Sequence, residues 1–422
     1  MKRKILSFML VLSLCLGFIL PISAAEGDGS SENPFLISDA YDLAALAAQV
    51  NEGENSGDMY YRLTNDIDLS GWITEHGGSS GWTPIGRFTP GFLSSPYLFN
   101  GNFDGAGYSI TGLTISSRGG VAVGLFGSLG ELGVLSNLTV CTGEDEIYLE
   151  AGGLDNAYGG LLLGYNAQGS IVNCHAVGKI TGSYNTEVGL LVGRSYNGSI
   201  SRCSATGTAE GGGRVGGFMG SNDNSTVINC FTTAEVIGTT TEDFGFHYGG
   251  GFAGFSSGTM ANCYSTGAVT ILFTPDTNTT LGGFMARLSK PTTTCYWNAV
   301  DNDKAIGSNS VWYDKEDVVG LSPAEMKTPA FAALLNKNTP AKIWAQDDSI
   351  NDGFPYFDED AAVIDDGALD NSSDTADIRE EELSEQHIRA VGCVQKVWTL
   401  IDRFEIAFGV SIYDYWTIND MW

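Results

Sequence analysis

The chain has 422 residues, with 21 Lys+Arg against 50 Asp+Glu and a formal net charge of -29, the wrong sign for a nucleic-acid or anionic-membrane footprint. Hydrophobic residues make up 43% and charged residues 17%, which excludes wholesale disorder and leaves enough apolar chain for a substantial core. Gly, at 56 of 422 residues, is well above its average usage of about 7%, which argues against a helical protein.

Residues 1–25 have the three parts of an export signal: Lys2, Arg3 and Lys4, an apolar run from Ile5 to Leu20, and Ser23-Ala24-Ala25 as a small-residue end. A secreted or cell-surface location follows as an expectation. Cys15 raises lipid attachment as an alternative, which Leu14 before it disfavours. No later run is long and apolar enough to be a membrane span. After the leader, residues 26–123 are expected to hold a capping helix and the first coils. Asp39 is placed to cap a helix through about Val50, with Leu43, Leu46, Ala47 and Val50 on one apolar face.

Residues 124–300 repeat. Leu125, Leu162, Leu191, Phe218, Phe252 and Phe284 each begin a unit, and Leu138, Cys174, Cys203, Cys230, Cys263 and Cys295 follow at a nearly constant distance. A period of about 30 residues without a helical pattern fits a coil of three short strands per turn, whereas a four-stranded propeller blade needs about 40 or more. In a parallel coil each residue sits about 4.8 Å from its equivalent, so like residues form ladders. Strict alternation through Ile171-Val172-Asn173-Cys174 would turn Asn173 inward and Cys174 outward. A one-residue left-handed bend at Asn173 reverses this, and Asn tolerates that backbone. Asn137, Asn173, Asn229 and Asn262 are then expected to hydrogen-bond from coil to coil. Arg202 and Thr294 interrupt the series, which leaves room for a different bend there.

The Cys beyond the leader, which also include Cys141 and Cys393, are odd in number and cannot all pair. Cys174, Cys203, Cys230, Cys263 and Cys295 share a column with Leu138, so buried packing is expected of them. Disulfides between neighbouring coils stay open as an alternative, since export permits them. No CxxC pair or His cluster suggests zinc, and no cofactor is called for. Outward neighbours of the Cys column are His175, Ser204, Phe231, Tyr264 and Tyr296. Phe231, Tyr264 and Tyr296 would stack on consecutive coils as an exposed aromatic ladder, a structural stack or a surface for a glycan or a cell-surface protein.

Residues 301–357 are expected to cap the far end. Ser322-Pro323-Ala324-Glu325 forms a capping box, and Thr328-Pro329 opens a second helix carrying Phe331, Leu334 and Leu335, both covering the last coil. Residues 358–386, rich in Asp and Glu with Arg379 as the one base, are expected to form a disordered linker. Residues 387–422 are aromatic-rich, with Ile388, Val391, Val394 and Trp398 near helical spacing. This segment is expected to dock on the solenoid or on a partner.

The units at 189–193 and 258–267 resemble the GLUG motif, found in repeats of secreted and surface adhesin-like bacterial proteins. The similarity extends to Asn65-Asp66-Ile67-Asp68-Leu69, Trp82-Thr83-Pro84-Ile85-Gly86, Phe103-Asp104-Gly105-Ala106-Gly107 and Cys295-Tyr296-Trp297, covering roughly residues 33–357. The resemblance implies an all-β, right-handed parallel β-helix of the pectate-lyase-like kind. It also touches immunoglobulin A peptidases, which carry such repeats, but His76, His175, His247 and His387 form no HExxH pair. Asp66, Asp68, Asp104 and Glu187 are the carboxylates available for glycoside chemistry, although Asp66 and Asp104 fall in turns where Asp ordinarily bonds to backbone N–H groups. Asp301-Asn302-Asp303 and Asn65-Asp66-Ile67-Asp68 offer oxygens for calcium without completing an ion loop. The expectation is a non-enzymatic, adhesin-like binding protein. A polysaccharide lyase or hydrolase, or a spacer whose end docks a partner, is the alternative.

Overall fold

The computed structural model describes residues 26–358 except 55, 89–96, 120–121, 152–155, 240–246, 273–278, 291, 310–316, 338 and 340–341. The expected leader at 1–25, nearly all of the linker at 358–386, the segment 387–422 and Cys393 lie outside the described residues.

The chain winds as a parallel β-helix. One turn starts with Thr186–Gly189, reverses through Leu190 and Leu191, and continues as Val192–Tyr196. It then runs through Ser199–Ser201 and Ser204–Gly211 before Arg214–Gly216 pairs in parallel with the strand that began the turn. Repetition of this path builds a six-stranded and a seven-stranded parallel sheet, and a longer sheet that wraps the remaining side. In-register pairs run from Leu163 to Val192, Met219, Ala253, Met285 and Ile306. One antiparallel pair joins Trp344–Ala345 to Tyr356–Phe357.

Hydrogen bonding between turns satisfies the backbone, and apolar side chains fill the space inside. Phe218, Phe252 and Phe284 stack with centroids 4.6 and 5.1 Å apart. Fully burying such a side chain contributes about 1.5–3 kcal/mol. The N-terminal end is closed by the helix Ala40–Glu52. Asp39 accepts from the N–H groups of Tyr41 and Asp42, and Gly53 ends the helix at φ 89°. Leu43, Leu46 and Val50 of its apolar face join the same core as Leu63, Phe99 and Phe103.

At the other end Ser322 and Glu325 cap each other reciprocally before the helix Pro323–Met326, and Pro329–Lys337 follows. The sequence places these helices over the last coil. They lie instead against the outer side of the longest sheet, where Met326, Phe331 and Leu335 share a cluster with Phe231, Tyr264 and Tyr296. The outward aromatic column offers apolar area on several turns at once, more than one terminal turn presents.

Candidate functional site

Both columns that flank the bend can be followed turn by turn. Asn137, Asn173, Asn229 and Asn262 all take φ between 52° and 54°. Asn173 Nδ2 donates to Asn137 Oδ1 at 3.0 Å, Asn262 Nδ2 donates to Asn229 Oδ1, and Asn137 Nδ2 donates to Asp104 Oδ1 at 3.0 Å. Arg202 and Thr294, expected as possible exceptions, have φ of 52° and 50°, the same bend. Hydrogen bonds from the neighbouring turns impose the backbone there whatever the side chain.

Cys174, Cys203, Cys230, Cys263 and Cys295 are fully buried, and Cys174 pairs with Leu138 in register. Each thiol lies near the carbonyl two residues earlier, as Cys203 Sγ does to Ser201 O at 3.1 Å. The Cys among the described residues are free thiols. Burial pushes Cys174, Cys230 and Cys295 well above the ordinary thiol range.

The aromatic ladder requires a correction. Phe231 and Tyr264 stack at 5.0 Å with planes 8° apart, but Phe231, Tyr264 and Tyr296 are only 5%, 0% and 4% exposed. Phe331 stands edge-on to Tyr264 and Tyr296, while Trp344 and Phe357 lie against Phe231. The Tyr264 hydroxyl donates to Pro355 O. The rings form the seat of the C-terminal segment, so no face of them is open to a glycan.

Beside that segment lies a groove of about 450 Å³. Thr206, Thr233 and Thr266, one on each of three successive turns, line it, with Thr206 Oγ1 and Thr233 Oγ1 2.9 Å apart. Buried Asn298 donates to Thr266 O at 3.0 Å and to Asp301 Oδ2 at 2.6 Å, which holds Asp301 at the rim. Lys327 also lines the groove, its Nζ 2.8 Å from Asp352 Oδ2 and 4.5 Å from the Phe354 ring centroid. Hydroxyl, carboxylate and ammonium groups thus face one channel.

A second concave region lies where the six- and seven-stranded sheets meet. The chain reverses so tightly that a Cβ at Gly193 would come within 2.4 Å of Gly159 N, and one at Gly254 within 2.8 Å of Val215 N. This close approach explains Gly164, Gly193, Gly220 and Gly254, while Ala286 holds the equivalent place in the last of these units. Beyond these Gly the outward side chains of the two sheets meet. Glu187, 3% exposed, accepts from Arg214 Nη1 at 2.9 Å and lies 3.5 Å from Arg194 Nη1, while Arg194 also pairs with Asp223. Burial raises the Glu187 pKa, and the two guanidiniums oppose the shift. Tyr158, Tyr165 and Phe88 close the upper part. Sequence reasoning named Glu187 but missed its partners. The residue after each recurring Gly, as in Gly193-Arg194 and Gly254-Phe255, is the signal that would have found them.

The other carboxylates have structural partners. Asp66 accepts from Ser109 N and Oγ, Asp68 from Ser70 N, and Asp104 from Ala106 N with Arg62 at 3.6 Å. These bonds hold Asp66 and Asp68 below the ordinary carboxylate range. Among the described residues no three His, Cys, Asp or Glu side chains gather as a metal site.

The GLUG motif matches residues 155–181 and 184–210. A Gly-rich membrane protein of Evansella cellulosilytica is 36% identical over 116 residues, covering 28% of this chain and 12% of that protein. Halomucin of Haloquadratum walsbyi is 34% identical over 162 residues, covering 37% of this chain and 2% of its own length. The chain therefore spans a small fraction of these relatives. Among solved structures, a protein from Bacteroides ovatus titled as an immunoglobulin A1 protease is 19% identical with a TM-score of 0.49, covering 78% of this chain and 94% of that one. Another, titled IgA1 Protease, is 13% identical with a TM-score of 0.40, covering 68% and 21%.

Proposed function

Because the chain carries the GLUG repeat on a parallel β-helix, we propose that it is an exported, non-enzymatic, adhesin-like binding protein whose groove beside Thr206, Thr233 and Thr266 receives a glycan. The observation that carries this reading is the groove itself: hydroxyls on successive turns, at a spacing of about 4.8 Å, face Asp301 and Lys327. Sugar hydroxyls both donate and accept, and such a channel offers them both partners. A relative named as a membrane protein supports a surface location. Among the described residues no helix is long and apolar enough to cross a membrane.

The test is a glycan array with the full chain, run alongside an assay for new reducing ends or unsaturated products. Saturable binding without products, weakened several-fold by Thr233→Val, is expected. Turnover of any bound polysaccharide would replace this reading with a polysaccharide-active enzyme. Binding untouched by Thr233→Val would move the ligand out of the groove.

A further inference from the structure

The lower part of the concave region between the six- and seven-stranded sheets holds four side chains in a crossed arrangement. Arg214 and Tyr248 are register neighbours on one sheet, and Phe255 and Arg287 on the other. Across the gap the Arg214 guanidinium lies 4.8 Å over the Phe255 ring, and the Arg287 guanidinium 5.9 Å over the Tyr248 ring. Arg287 Nη1 also donates to the Tyr248 hydroxyl at 3.3 Å.

Charge separates this stretch from the upper part. There Arg194 is held by Glu187 and Asp223, so cation and anion balance. Lower down, Arg214 Nη1 donates to Glu187 and to Ser221 Oγ, whereas among the described residues no carboxylate pairs with the exposed Arg287. Arg287, stacked on the Tyr248 ring and bonded to its hydroxyl through Nη1, presents the remaining N–H edge of its guanidinium, the group that receives a carboxylate or sulfate. Arg214 and Arg287 stand two turns apart on opposite sheets, and Tyr248 and Phe255, the rings they cover, both lie on the turn between them.

We propose that Arg287, framed by Tyr248, Phe255 and Arg214, forms a second binding site, selective for an acidic polysaccharide that presents a carboxylate or sulfate. The Arg287 guanidinium takes the charged group, and the Tyr248 and Phe255 rings border the sugar that carries it. The high negative charge of the whole chain makes such a local reversal of sign necessary for a polyanion to bind. The site is separate from the threonine groove and does not depend on it.

The experiment measures binding of the full chain to fluorescent dextran sulfate, polygalacturonate and neutral dextran at low and moderate salt. At least one polyanion is expected to bind, more weakly as salt rises. Arg287→Gln is expected to weaken that binding about tenfold. Arg118→Gln, which removes the same charge from an exposed side chain elsewhere, should leave it unchanged. The polymer whose affinity falls in Arg287→Gln identifies the anion as sulfate or carboxylate. The proposal is overturned if neither polyanion binds, if Arg287→Gln has no effect, or if Arg118→Gln weakens binding equally. Circular dichroism of each variant confirms that the coil is intact.

Discussion

At each bend the chain sends one residue into the coil and the next one out. Cys263 and Tyr264 are such neighbours, and both are fully buried. Cys263 is dry because the turns enclose it; Tyr264 is dry because Phe331, Trp344 and Pro355, far along the chain, lie over it. The repeat therefore governs its own interior, whereas the environment of its outer surface is decided by a segment that does not repeat. The two residues should respond differently to substitution.

The largest effect is expected from Cys263→Asp, which puts an unpaired carboxylate into the dry column at a cost of about 5 kcal/mol. Denaturant unfolding should show the whole coil weakened. Tyr264→Ala removes a ring from the outer cluster at about 3–4 kcal/mol. That loss should loosen residues 322–357 alone, seen as faster amide exchange there, while the column thiols stay unreactive toward a thiol reagent. Reactive thiols in this variant would show that the flank also holds the coil together and would erase the distinction.

A smaller effect of opposite sign is expected at the bend. Thr294 is β-branched in a left-handed conformation, and Asn262 Oδ1 is buried without a partner. Thr294→Asn relieves the backbone and supplies the next donor of the ladder, so a gain of about 1 kcal/mol in unfolding free energy is expected. The smallest effect concerns pH. Burial makes the folded state hold a proton on Glu187 more readily than the unfolded chain does. That contribution is complete at low pH and lost as pH rises from the ordinary glutamate range through the raised value. Glu187→Gln should flatten this decline in a pH series of melting temperatures. Asp66 and Asp68, lowered by Ser109 and Ser70, act in the opposite sense and at lower pH.

The coil was legible because ladders repeat residue type. Cys under Cys and Asn under Asn state both the period and the side each residue faces. The shared bend at Arg202 and Thr294 was hidden because backbone pairing, not residue identity, sets it. The covering of Phe231, Tyr264 and Tyr296 was hidden for a related reason: an outward aromatic row has the same pattern whether water or another segment lies against it. The crossed Arg214, Tyr248, Phe255 and Arg287 were missed because no column there keeps one residue type.

The Gly column at the reversals carries a consequence for how such a chain changes length. Since every reversal is fixed by the backbone of its neighbours, an arbitrary deletion shifts all later side chains out of step, but excision of residues 190–216 would join equivalent points. Growth and shrinkage by whole windings leave both ends and every remaining contact type intact, so the reach of the molecule can be altered in discrete increments without inventing a new core.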